Sequence, residues 1–232
     1  MRWTKLGTLP VIPSSLILEI GCSSGFLLRS LIARFPGHPV VGVDYTYGTL
    51  QSLGARLPNV PLLQLDLTRC PLPDGWADVT ILLNVLEHIG DDEKAMAELF
   101  RIVRPGGAVI VEVPSGGTLF DVHDRVLMHH RQCDMLLLVE RIRNAGFVLE
   151  KRAHLGFFLY PAFYVTKRLN RIRYRTNSNI DEEAIVANMI AGTHKSSRLF
   201  GWLMAIQRAL RRFIYLPFGI RCLIICRKPA GS

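Results

Sequence analysis

Apolar residues in the first 150 positions follow two alternating rhythms. Short runs with little polar interruption, LILEI (16–20), VVGVDY (40–45), PLLQLD (61–66), VTILLNV (79–85) and AVIVEV (108–113), have the length and composition of strands buried on both faces. Between them, FLLRSLIARF, GTLQSLGARL, DEKAMAELFRIV and MLLLVERIRNAGF space their apolar residues three and four apart, which predicts crossover helices. Such alternation predicts an α/β fold with a mostly parallel sheet and helices on both faces. Arg104-Pro105-Gly106-Gly107 is expected to end a helix and turn into a strand, and Gly146 to cap a helix C-terminus. VLEKRAHL (148–155) then reads as a sixth strand and IRCLIICRK (220–228) as a seventh. The expected organisation is a core over 1–155, a helical insertion over 156–219, and a last core strand and tail over 220–232.

Charge sharpens that division. The 232 residues are 49% hydrophobic and 20% charged, enough to fill a core, which excludes a disordered tail, a fibre or a disulfide-stapled miniprotein. The net charge of +9 is unevenly spread. Residues 1–150 carry 13 Lys/Arg against 16 Asp/Glu, whereas residues 151–232 carry 15 against 3, so the whole excess belongs to the last third. Cys22, Cys70, Cys133, Cys222 and Cys226 form no CxxC pair, which predicts free thiols in a reducing, cytoplasmic compartment and no metal site. Pro10, Pro13 and Glu19 argue against a signal peptide. The longest apolar stretch, Leu155 to Val165, is interrupted by Pro161 and falls short of the roughly 20 residues that span a bilayer.

The chemistry gathers at strand ends. LILEIGCSSGFLLRSL is a strand running into a glycine turn and then a helix. Gly21 and Gly25 there let a ligand lie against bare backbone, and the helix start presents amide donors. Many α/β proteins use such a turn only to close a corner, so it decides little alone. The second strand, however, ends on Asp44, where a carboxylate can accept from both hydroxyls of a ribose, and the third ends on Asp66, a further acceptor at the same edge. Either acid could be a mere helix cap. Three consecutive strands each delivering a polar group to the ligand-binding edge favour a nucleoside site instead. The segment lacks the G-x-G-x-x-G spacing that brings backbone to a pyrophosphate, which argues against a dinucleotide dehydrogenase.

EIGCSSG, VDY, LDLTRCPLPDGWADVTILLNVLEHIGDD and LFRIVRPGGAVIVEVP together resemble the Rossmann-like class I S-adenosylmethionine-dependent methyltransferases, over residues 14–150 and, more loosely, the last strand. NVLEHI followed by RPGG is especially similar to the branch that methylates small molecules. The resemblance implies S-adenosyl-L-methionine as cofactor, held by Glu19, Gly21, Cys22 and Gly25 around its methionine part, with Glu19 near the amino group. It further implies Asp44 on the ribose, Tyr45 beside the adenine, Asp66 with the Leu67 backbone on the adenine edge, and the Asn84 backbone at the methionine end. Candidate catalytic bases are His88, His129 and His130. His129 and Arg131 fit an H-x-R-x-Y-like pattern that relatives carry after the fifth strand, although Cys133 stands where Tyr is expected. Surface or packing histidines are the competing explanation.

The family usually carries a helical cover before the first strand. Here that strand begins near residue 16, so the insertion, with ten basic and three acidic residues, is the expected replacement. It fits a lid over an anionic or amphipathic small-molecule acceptor, a face lying on a membrane surface, or a nucleic-acid contact, in that order. The absence of an N-P-P-Y-like turn after the fourth strand and of a base-stacking platform argues against nucleic acid. The expected function is methyl transfer to a small-molecule or lipid-like acceptor, at oxygen. The alternatives are a peripheral enzyme at the inner face of a membrane and a non-catalytic scaffold that keeps the cofactor pocket.

Overall fold

The computed structural model describes residues 15–115, 134–175, 206–207 and 216–231. Strands β1 (Ile17–Ile20), β2 (Val40–Asp44), β3 (Leu62–Gln64), β4 (Ala77–Leu83) and β5 (Val103–Pro114) alternate with helices α1 (Phe26–Arg34), α2 (Tyr47–Arg56) and α3 (Asp92–Ile102). Helix α4 (Met135–Asn144), β6 (Val148–Leu155), α5 (Tyr160–Arg175) and β7 (Arg221–Arg227) follow. The seven strands form one sheet in the order β3-β2-β1-β4-β5-β7-β6. This is the Rossmann-like sheet expected from the apolar runs.

The first five strands are parallel, with Ile17 opposite both Val40 and Val79, and Ile81 opposite Ile110. β7 runs the other way: Gly106 and Gly107 bond to Lys228 at one end, and Ser115 to Ile220 at the other. Ile17, Leu18, Val79, Ile81, Val109 and Ile110 are fully buried, each worth about 1.5–3 kcal/mol in apolar surface removed from water. Burial on both faces is why these runs show no polar alternation.

Two boundaries differ from the sequence expectation. β3 keeps only three residues, Leu62–Gln64. β5 starts at Val103, directly after α3, so Arg104–Gly107 lies within the strand rather than before it. The pairing jumps from Ala77↔Val103 to Val79↔Ala108, which makes the Arg-Pro-Gly-Gly segment a bulge. Arg104 is ion-paired to Asp78 there, and Asp78 Oδ2 accepts from the Leu16 amide at 2.7 Å.

Gly146 does cap α4, at φ +98°, a conformation that penalises a Cβ. Its amide donates to Arg143 O at 2.9 Å and the Phe147 amide to Ile142 O at 3.1 Å, the two bonds of a Schellman motif.

The chain separates into two compact units. One comprises Met1–Val113, Leu136–Arg152 and Leu223–Ser232; the other comprises Pro114–Met135 and Ala153–Cys222. In the second, Phe157 stacks on Phe218 with centroids 4.7 Å apart, Tyr160 lies 5.0 Å from Phe218, and the Phe157 amide donates to Gln207 Oε1 at 3.1 Å.

Candidate active site

The strand order reverses at β1, which has β2 on one side and β4 on the other. In open α/β sheets that reversal opens a crevice at the carboxyl ends of the strands. The turn after β1 enters it through Gly21 at φ +76° and leaves through Gly25 at φ +72°, with Ser23 also left-handed at φ +42°. A Cβ on Gly21 would collide with the Val85 side chain, just past β4, so only glycine lets the two turns approach this closely. On the far side of that approach, Asn84 is left-handed at φ +54°, and its amide donates to Glu112 O at 2.9 Å.

Asp44 ties two of these turns together. Its Oδ2 accepts from the Ser23 amide and its Oδ1 from the Thr46 amide, both at 2.9 Å. Each oxygen keeps a lone pair for a further donor. Next to it Glu19 is only 4% exposed, and its Oε2 has no hydrogen-bond partner among the described residues. Burial, and secondarily the charge on Asp44, push the Glu19 carboxyl up to about 8. The same causes, burial first and then Glu19 and Asp44, hold the neighbouring Cys22 thiol at about 12, protonated and unreactive.

Farther along the edge, Asp66 Oδ1 accepts from both Thr68 N and Thr68 Oγ1 at 2.8 Å, capping the 3₁₀ turn Leu67–Arg69. Those bonds hold its carboxyl below the usual carboxylate range. Leu67 is buried, whereas Tyr45 is 73% exposed. Gln64 Nε2 donates to Tyr45 O at 3.1 Å and fixes the backbone under that ring.

A carboxylate with spare acceptor capacity, a buried orphan carboxyl oxygen and a glycine turn suit a ligand carrying hydroxyls and a cationic amine. Residues 18–111 match the family model described as "Methyltransferase domain". Over that region the chain is similar to the class I S-adenosylmethionine-dependent methyltransferases. The chain is 34% identical over 139 residues to a Mycolicibacterium smegmatis protein named "Probable S-adenosylmethionine-dependent methyltransferase", covering 58% of this chain and 52% of that one. It is 31% identical over 110 residues to the trans-aconitate 2-methyltransferase of Paracidovorax citrulli, covering 47% and 42%. The chain thus spans about half the length of the curated relatives it matches. In fold it is similar to the Haemonchus contortus phosphoethanolamine N-methyltransferase 2 solved with S-adenosyl-L-methionine, with a TM-score of 0.61, 20% identity, and coverage of 95% of this chain and 50% of that one.

For the family's cofactor, S-adenosyl-L-methionine, the residues present fit. Glu19 offers an unsatisfied buried acceptor, Gly21 an open backbone and Asp44 free lone pairs. Glu19, Gly21, Cys22, Gly25, Asp44 and Tyr45 lie on the first two strand ends, with Asp66, Leu67 and Asn84 at the ends of β3 and β4. His88 is exposed, in the 3₁₀ turn Leu86–His88. His129 and His130 lie outside the described residues. Among the described residues, no three His, Cys, Asp or Glu are grouped as a metal site.

Ser23 and Gln64 are contributors that the sequence did not single out. A serine between two turn glycines hints at a left-handed backbone, but the 21-residue reach from its amide to Asp44 leaves no local trace.

Proposed function

We propose that the protein transfers a methyl group from S-adenosyl-L-methionine to an oxygen of a small anionic acceptor. The observation that carries this reading is the buried Glu19 Oε2, unpartnered among the described residues, beside the Asp44 carboxylate at the crevice where the strand order reverses. When bound, the cofactor supplies a methyl group already activated on a sulfonium. The chain therefore needs mainly to bind and align. Glu19 is proposed to receive the amino group, Asp44 the ribose hydroxyls, Tyr45 the face of the adenine, and Asp66 with the Leu67 amide its edge. The Gly21–Gly25 turn and Asn84 would supply backbone at the methionine end.

Alignment can contribute about 7–11 kcal/mol to such a displacement. An oxygen that arrives as an anion needs no base, which suits an edge where His88 is solvent-exposed. The trans-aconitate named for one relative supports an anionic acceptor.

Two measurements test the reading. Calorimetric titration with S-adenosyl-L-methionine should give saturable binding that Asp44→Ala weakens strongly; unchanged affinity in that variant would remove the cofactor assignment. Formation of S-adenosylhomocysteine over a panel of small carboxylates and phenolates should identify the acceptor. Turnover of amines alone would overturn methylation at oxygen. If the acceptor is a carboxylate, His88→Ala should retain most of the activity, whereas loss of a working general base costs about 10²–10⁴-fold.

A further inference from the structure

We propose that helix α5, Tyr160–Arg175, docks the protein on an anionic phospholipid surface. The helix reads YPAFYVTKRLNRIRYR: five Lys/Arg and no Asp or Glu in one helix. A solvated helix face is ordinarily built from mixed charges, and this one has a single sign.

Its exposed positions include large apolar side chains beside Thr166 and Arg168. Tyr164, Val165 and Leu169 are 37%, 54% and 60% exposed, and with the exposed Pro161 and Arg168 they recur at spacings of three and four. That spacing makes one stripe along the helix. At the helix start Phe218, 41% exposed, extends the stripe through its contact with Tyr160. The Arg168 guanidinium sits 5.9 Å from the centre of the Tyr164 ring, and its Nε donates to Tyr164 Oη at 3.3 Å. An arginine laid along a tyrosine places an apolar stem and a polar tip side by side, the arrangement that suits a headgroup boundary.

An apolar stripe in a uniformly basic helix is complementary to a surface that is greasy beneath and negative on top. An anionic bilayer has both properties. A folded acidic protein would match the charge, yet would have to supply a long apolar groove; RNA would match the charge and leave Val165 and Leu169 in contact with phosphate. No helix of the described residues is long and apolar enough to cross a membrane. The inference stands independently of the methyl-transfer reading.

The test uses the full chain. It should co-sediment with phosphatidylcholine vesicles that contain phosphatidylglycerol, at low ionic strength, and lose most of that binding at high salt or with phosphatidylcholine alone. Arg168→Glu should weaken vesicle binding at least about fivefold, since each basic residue at an anionic surface is worth about 1 kcal/mol. Val165→Asp with Leu169→Asp should abolish it. An unaltered far-ultraviolet circular dichroism spectrum and urea midpoint in both variants would show that the fold survives. Lack of binding to anionic vesicles at low ionic strength overturns the proposal, as does equal binding by the Val165→Asp/Leu169→Asp variant. Retention on RNA without retention on vesicles assigns the basic helix to nucleic acid and overturns it too.

Discussion

At the scale of single residues, the crevice depends on positions that stability alone would not choose. Gly21 combines a φ of +76° with a neighbour, Val85, that occupies the space of any Cβ. Gly21→Ala should lose about 1–2 kcal/mol for the backbone conformation alone, more with the collision, and should weaken S-adenosyl-L-methionine binding. Adding Val85→Ala should recover only the collision part. Urea midpoints and calorimetry on the single and double variants would separate the two contributions. Glu19 is the second such position. Its carboxyl rises from the ordinary 4.5 to about 8, so the folded chain holds a proton that the unfolded chain has released. Stability linked to Glu19 is therefore fully present below pH 4.5 and declines as pH rises through about 8. Glu19→Gln should flatten that decline in urea titrations across the window. If the cofactor's ammonium meets this carboxyl, binding at neutral pH should expel the proton. Calorimetry in buffers of different ionisation enthalpy should detect proton release in the wild type and none in Glu19→Gln.

At the scale of elements, the central strands were legible because burial on both faces leaves uninterrupted apolar runs; all seven expected strands appear, although β3 and most of β6 are not buried. The ends were less legible, for a physical reason. Arg-Pro-Gly-Gly is a turn by composition, but here it is held within β5 as a bulge. Asp78 engages Arg104, and Lys228 bonds Gly106 and Gly107, from positions remote in sequence. Asp44 and Asp66 were legible as strand-end acids. The bonds from Ser23 to Asp44 and from Thr68 to Asp66, which orient them, became visible only with the fold. Lys228 illustrates the same limit. It reads only as the polar end of the seventh strand run, yet it is 8% exposed, donates to Phe100 O at the C-terminal turn of α3 at 2.8 Å, and sits 4.5 Å from the Phe100 ring centre. A cation at a helix C-terminus satisfies a carbonyl left over by the helix and complements its dipole. Lys228→Met keeps the stem and removes the charge, and should cost about 1.5–3 kcal/mol. Because the group is buried, that loss should change little between low and high salt in urea unfolding.

At the scale of the whole molecule, the net charge of +9 resolves into a slightly acidic first 150 residues and a strongly basic remainder, and the two proposed ligands divide the same way. Every described residue assigned to the cofactor belongs to the unit built from Met1–Val113, Leu136–Arg152 and Leu223–Ser232, whereas α5 belongs to the other unit. Hydrogen exchange can therefore address them separately. A ligand that binds only the folded state at 100 times its dissociation constant adds about 2.7 kcal/mol. Exchange through local opening is slowed chiefly where the ligand closes the opening. S-adenosyl-L-methionine should slow exchange at the amides of Ser23, Thr46, Thr68 and Asn84, which line the strand ends, and leave 160–175 unchanged. Anionic vesicles should slow 160–175 and leave the strand ends unchanged. Each ligand acting on its own unit would mean that charge and chemistry are partitioned along the chain. Slowing of both regions by either ligand would instead mean that cofactor and surface bind with a shared free energy, and each would then tighten the other's binding by the same factor.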